Sequence, residues 1–263
     1  MNKYIYLLKY EFKTIVRDSM NLFMCIFPLV ILFLSTVIFP MVFNTTSPTD
    51  DATTKVAMLL FLIVILAFGG FLVAAMATFL LLDHKDENTL STIAVTPLGA
   101  SGYVKFKMTY IYIMSVISTI MIFLGTKLLA GDEYAIGGVS IFDTISIWHI
   151  ISFAVVSALF VPALALLQGA FAKNKVEGFA YIKGTGMIAL VPALLILDAF
   201  SGGLQYLLGI FPNFWALKGI MLELFPENNA ANLSYPVYLI IGAAYNILLI
   251  VMAYRVFLKK AKY

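Results

Sequence analysis

Charge is scarce in this chain: only 12% of its 263 residues are Asp, Glu, Lys or Arg, about half the ~25% of an ordinary soluble domain. That excludes a water-soluble globular fold, and 62% hydrophobic residues exclude intrinsic disorder. The single cysteine, Cys25, permits no internal disulfide and has no metal-ligand partner near it in sequence. The two histidines, His84 and His149, fall at opposite ends of the spans drawn below and cannot share a metal, so each reads as an interfacial histidine. No Gly-Lys dipeptide occurs, and with it goes the phosphate-cradling G-x-x-x-x-G-K-[ST] loop. Neither G-x-S-x-G nor H-E-x-x-H is present, which weakens the case for an intramembrane hydrolase. A formal net charge of +3 is too small to point to nucleic acid.

What fills the chain is apolar. The mean hydropathy is +0.98, and no stretch is long and polar enough to form a separate soluble domain. A spanning helix takes roughly 20 apolar residues. Apolar runs cover about 21–43, 56–82, 108–129, 146–172, 179–197 and 236–257. The chain therefore reads as an all-α polytopic membrane protein, one transmembrane domain over 1–263 with six transmembrane helices. No small-residue cleavage site follows the first run, so it is expected to stay in place rather than be removed as a signal peptide.

Orientation follows from the basic residues, which concentrate in loops that remain cytoplasmic. Of the 17 Lys and Arg residues, only Lys55, Lys127 and Lys218 fall on the side where Asp50, Asp51, Asp132, Glu133, Asp143, Glu223 and Glu227 gather. Both termini are thus expected inside a cell membrane of bacterial type, with 44–55, 130–145 and 200–235 outside. Residues 1–20 form another kind of membrane element: Ile5, Leu8, Phe12 and Ile15 share one helical face, and Lys9, Lys13 and Arg17 form a stripe on another. Such a helix suits the interface, its basic stripe facing anionic lipid. Anchoring of the first span and docking of a partner both remain open for it.

The longest inward loop follows the second span. Asp83, Asp86 and Glu87 suit the positive start of a short helix, Leu90, Ile93 and Ala94 recur at spacings of three and four, and Pro97 stops the pattern. A short cytosolic helix over 84–96 is expected. Thr96-Pro97 then forces an extended exit, and Gly99 and Gly102 give a turn before Lys105 and Lys107 lead back into the membrane.

Several features now stand in a fixed order. Glu11 and Arg17 lie on the amphipathic leading helix, and Pro28 within the first span. Glu87, Thr89, Leu90, Thr96, Pro97, Leu98 and either Lys105 or Lys107 mark the loop. Lys173-Asn174-Lys175-Val176-Glu177 separates the fourth and fifth spans, and Pro212, Phe214, Trp215 and Ala216 precede the sixth. Taken together they resemble the ABC-2 type permease family, the membrane subunits of ATP-driven exporters, over nearly the whole chain. Asn88 departs from the pattern, standing where the family commonly has Gly.

The resemblance implies a coupling helix after the second span that fits a groove on an ATPase subunit and converts nucleotide-driven closure into movement of the spans. It implies ATPase-coupling roles for Asp86, Glu87, Thr89, Leu90, Ile93, Thr96, Pro97, Lys105, Lys175 and Glu177, and half-inserted external helices before the sixth span. The chain itself would bind no cofactor and be no enzyme. ATP and Mg would sit on the partner ATPase subunit, and a second permease copy, identical or closely related, would complete the complex with membrane lipid around it. Ser201-Gly202-Gly203-Leu204-Gln205 is no ATPase signature, because its order is wrong and it falls outside.

Isolated polar residues within spans are costly in hydrocarbon and invite a functional reading. Lys183 and Asp198 lie on the fifth span, roughly 22 Å apart along a helix, too far to pair. Lys183 either snorkels to the inner interface or, with Gln168 and Asn246, belongs to a substrate path; helix-to-helix hydrogen bonding serves the last two equally well. Gly69, Gly70 and Ala74 suit close helix packing. An amphiphilic substrate is expected, such as a drug, a peptide antibiotic or a lipid, with an undecaprenyl-linked polysaccharide as the competitor. An ion-coupled carrier using Lys183 and Asp198, and a non-transporting scaffold or immunity subunit, are the rival functions; against the carrier, no internal repeat of the kind such folds show is visible.

Overall fold

The computed structural model describes residues 3–45, 51–86, 92–93, 95, 99–200, 202–226 and 229–260, without the side chains of 3–4, 11, 44–45, 51–53, 84, 86 and 198. Among the described residues, six helical stretches are long and apolar enough to cross a membrane: Ser19–Phe43, Thr54–Asp83, Gly99–Glu133, Ile147–Phe171, Lys175–Ile196 and Tyr235–Lys260. Each contains or overlaps a span read from sequence.

Helix α1 (Lys3–Arg17) is parted from α2 (Ser19–Phe33) by one residue, Asp18, in extended backbone. The Asp18 carboxylate accepts the amides of Met20 and Asn21 at 2.9 and 3.1 Å. The chain can therefore turn from α1 into the first span without leaving those first-turn amides unpaired. Of the apolar stripe on α1 only Ile15 is buried, while Ile5, Leu8 and Phe12 stand exposed.

The first span is not one regular helix. After α2 comes a π turn, Leu34–Ile38, and then α3 (Phe39–Thr45). Pro40 lacks the amide that would bond four residues back, and the widened turn lies directly before it. Tyr134 donates its hydroxyl to the Ser35 carbonyl at 2.6 Å, and the Ser35 and Thr126 hydroxyls meet at 2.7 Å.

Helix α4 (Asp51–Asp86) has 36 residues, about 54 Å at the helical rise, against a hydrocarbon core of ~30 Å. It packs against α2, α5 (Gly99–Ala130) and α7 (Phe160–Phe171), and also against α8 (Lys175–Ala189) and α9 (Phe214–Leu224). Close approach depends on its glycines: a Cβ on Gly69 would stand 2.8 Å from Ile122, and one on Gly70 3.1 Å from Phe160.

Proline explains two further breaks. Helix α6 (Ile147–Ser157) gives way to α7 at Ala158–Leu159, where Pro162 cannot bond the Ala158 carbonyl and Val161 takes it instead at 3.2 Å. The sequence suggested one helix to Leu197; instead α8 ends at Ala189 and a 3-10 stretch, Val191–Ile196, carries Pro192 at its start.

The sixth span is α10 (Tyr235–Lys260), packed chiefly on α7 and α9. A short hairpin, β1 (Ala135–Ile136) with β2 (Val139–Ser140), turns through Gly137 and Gly138, both at positive φ. Such a turn favours glycine because a Cβ would be strained there.

Tyr254 of α10 bonds Ser101 of α5, and Asp18 lies beside Lys175 of α8. The ends of α1, α4 and α10 and the starts of α5 and α8 therefore gather at one end, called here the terminal end. The hairpin and α9 lie at the other. The apolar core follows this division, with one cluster around Phe123, Phe142 and Ile220 and another around Phe79, Leu166 and Phe257. The second and fourth spans are 56% and 61% buried and the fifth only 17%, so the former make the centre and the latter presents its apolar side outward.

Candidate functional site

At the terminal end, α4 runs without interruption through Asp86. This corrects one expectation: Asp83 and Asp86 are the last turn of the long second-span helix, not the acidic start of a new one. Helix continuation won because no Pro or Gly stands between 71 and 96. The last turns of α4, residues 80–86, are held from several sides.

From α5, Lys107, almost fully buried, donates to the Leu80 carbonyl at 2.5 Å and lies 5.0 Å from the Tyr103 ring centroid. From α8, the Lys175 ammonium pairs with Asp83 and reaches Asp18 at 3.6 Å. Asp83 is 8% exposed, so this pairing offsets the cost of burying its charge. In the other direction, Lys85 donates to the carbonyls of Gly169 and Ala172 at the end of α7, at 2.5 and 3.0 Å. Those carbonyls carry the negative end of the helix dipole and suit a cation. Burial pushes the Lys85 ammonium below its usual range; nearby Lys260 adds to the shift and Glu177 opposes it.

Packing reinforces the polar grip. A Cβ on Gly178 would overlap the Leu82 side chain, so the start of α8 sits directly against the end of α4. The loop Lys173–Glu177 folds as a helix cap: Asn174 accepts the Glu177 amide and Glu177 accepts the Lys173 amide, each at 2.9 Å. Glu177 and Lys175 thus both have intramolecular partners.

Other residues singled out from sequence lie as follows. Glu87, Thr89, Leu90, Thr96 and Pro97 lie outside the described residues, as do the side chains of Glu11 and Asp86. Ile93 is half-buried and helical, Lys105 is exposed 5.8 Å from the Tyr254 ring centroid, and Arg17 is exposed at the end of α1. Gln168 is buried and bridges three spans: its Oε1 accepts from Thr78, and its Nε2 donates to Thr185. Asn246 donates to the Pro212 and Gly242 carbonyls at 3.1 and 2.9 Å, tying the sixth span to the segment before α9. Lys183 is exposed over the Phe179 ring, on the outward side of α8. At the far end His149 caps α6 with Ser146 and lies 4.0 Å from Glu223.

Asp18 was missed in the sequence, although an acid directly before Ser19 and an apolar run is an N-cap signal. Lys107 as a buried carbonyl ligand had no local signal, since the partner Leu80 is 27 positions away.

Six spans around a central helix, with the end of α1, the end of α4, the fourth-to-fifth loop and the end of α10 gathered at one end, define a multi-pass helical membrane protein. Residues 11–254 match the family described as Fluoroquinolones export permease protein Rv2686c-like. The chain belongs to that family, and with it to the ABC-2 type. Two relatives carry the name Fluoroquinolones export permease protein, MT2760 from Mycobacterium tuberculosis strain CDC 1551 / Oshkosh and Rv2686c from strain ATCC 25618 / H37Rv. Each is 26% identical over 187 residues, covering 71% of this chain and 66% of the relative.

Proposed function

We propose that this chain is the permease subunit of an ATP-driven exporter of amphiphilic drugs, fluoroquinolones among them, with a separate ATPase subunit hydrolysing ATP and Mg bound there. Two permease copies and two ATPase subunits make the complex, and the terminal end faces the cytoplasm of the cell membrane. The observation that carries this reading is the grip on residues 80–86 of α4. Lys107, Lys175 and Lys85 join the root of the loop 87–98 to the third, fifth and fourth spans. A push on that loop by a closing ATPase is passed to these spans at once, because short helix-to-helix contacts leave no slack. The apolar stripe left open on α1 supports its place in the lipid interface, beside the same junction.

The names of the two M. tuberculosis relatives favour a drug over a peptide or a polysaccharide as substrate. The ion-coupled carrier is not favoured, since Lys183 lies on the exposed side of α8. The test is reconstitution of the purified chain in vesicles with and without an ABC ATPase subunit from the same organism, following ciprofloxacin by its own fluorescence. ATP-dependent movement that needs both components is expected. Movement by the chain alone, driven by an ion gradient, would overturn the reading.

A further inference from the structure

A cavity of about 430 Å³ lies at the terminal end between the start of the first span, α4 and the start of α8, a size within the ~300–1,000 Å³ of small-molecule sites. Phe79, Val176 and Phe179 wall it, and Asp18 and Lys175 supply its charge. Val176 and Phe179 are exposed, so the cavity faces outward past α8. Its level is fixed by the elements that meet there: Asp18 precedes the first span, Asp83 ends the second and Lys175 begins the fifth. That is the depth at which headgroups give way to acyl chains.

Asn21 also lines the cavity. It has no exposed surface, and among the described residues neither its Nδ2 nor its Oδ1 has a hydrogen-bond partner. Leaving both halves of a buried amide unpaired is costly, and groups of this kind persist where something outside the chain completes them. Beside it the Asp18 carboxylate has one oxygen on the helix cap and the other 3.6 Å from Lys175, beyond hydrogen-bond length. The site thus offers an acid, a base that also pairs with Asp83, and an amide that can both donate and accept, next to apolar walls.

We propose that this cavity binds an ethanolamine phospholipid of the inner leaflet, with its ammonium on Asp18 and Asn21 Oδ1, its phosphate on Lys175 and Asn21 Nδ2, and one acyl chain along Phe79 and Phe179. An ammonium and a phosphate joined by two carbons match an acid and a base set side by side. A choline headgroup matches less well, because it has no N–H to donate. The bound lipid joins the three spans at the root of the coupling loop.

The test is native mass spectrometry of the purified full chain after exposure to phosphatidylethanolamine and phosphatidylcholine of identical acyl chains. Wild type is expected to retain the ethanolamine lipid preferentially. Asn21→Leu removes the amide and Val176→Trp fills the cavity from an exposed position; each should bring the two lipids to parity. Equal retention by wild type, or an unchanged preference in both variants, would overturn the proposal. Displacement of the retained lipid by ciprofloxacin would also overturn it, assigning the cavity to a drug.

Discussion

Lys175→Met tests the grip on α4 with a magnitude set by burial. The Asp83 side chain is 11% exposed and that of Lys175 42%. Removing one member of a fully buried pair costs ~3–5 kcal/mol because the partner charge is stranded. An exposed pair is worth only ~0–1 kcal/mol. With one partner buried and the other half in solvent, the cost should fall between these limits, about 2 kcal/mol.

On the scale of soluble proteins of similar length that lowers the midpoint by about 4–8 °C. Asp83→Asn combined with Lys175→Met should recover part of the loss, since no stranded charge remains. Asp18→Asn should cost little, because Asn caps a helix as well as Asp and the 3.6 Å contact is long. Thermal unfolding in detergent, read by labelling of the lone half-buried Cys25, follows all four proteins. A Lys175→Met midpoint equal to wild type, or a double variant no better than Lys175→Met, would refute the reasoning.

Gly178→Val should lower both midpoint and transport by crowding Leu82, by ~1–3 kcal/mol, and Leu82→Ala should restore much of it. In a Cys25→Ser background, cysteines at Thr46 and Asn229 should react with an impermeant thiol reagent from outside and one at Asn88 should not; the reverse pattern would invert the topology. The purified chain alone should neither bind nor hydrolyse ATP, because no phosphate loop exists to hold it; turnover by the verified single component would sink the subunit assignment.

The six spans were legible because length and apolarity alone select a membrane helix. Their interruptions were only half legible. Pro40, Pro162 and Pro192 were visible as residues, yet whether a proline bends, widens or ends a span depends on what takes the freed carbonyl, as Tyr134 takes that of Ser35. The hairpin at Gly137 and Gly138 is two residues per strand, too short for a periodic signal. At the candidate site, the family-like loop residues could be read in order along the chain. The contacts that root the loop could not, since Lys107 with Leu80, and Lys85 with Gly169, join distant positions through backbone carbonyls that leave no mark in sequence. Gln168 and Asn246 were open in sequence to a substrate-path reading and to helix-to-helix hydrogen bonding alike, and each joins helices through hydrogen bonds.

The coupling role of the loop 87–98 is tested most directly by Glu87→Lys and Leu90→Asp. If acidic groups of the loop meet basic groups of the ATPase while Leu90 and Ile93 fill its groove, the first change adds like-charge repulsion and the second buries an unpaired charge. Such changes at a desolvated contact cost roughly 2–5 kcal/mol. The measurement is co-purification of a tagged ATPase subunit with each variant, followed by its hydrolysis rate in lipid. Both association and stimulated hydrolysis should fall together at normal permease expression, whereas wild-type association and hydrolysis in both variants would contradict the lever.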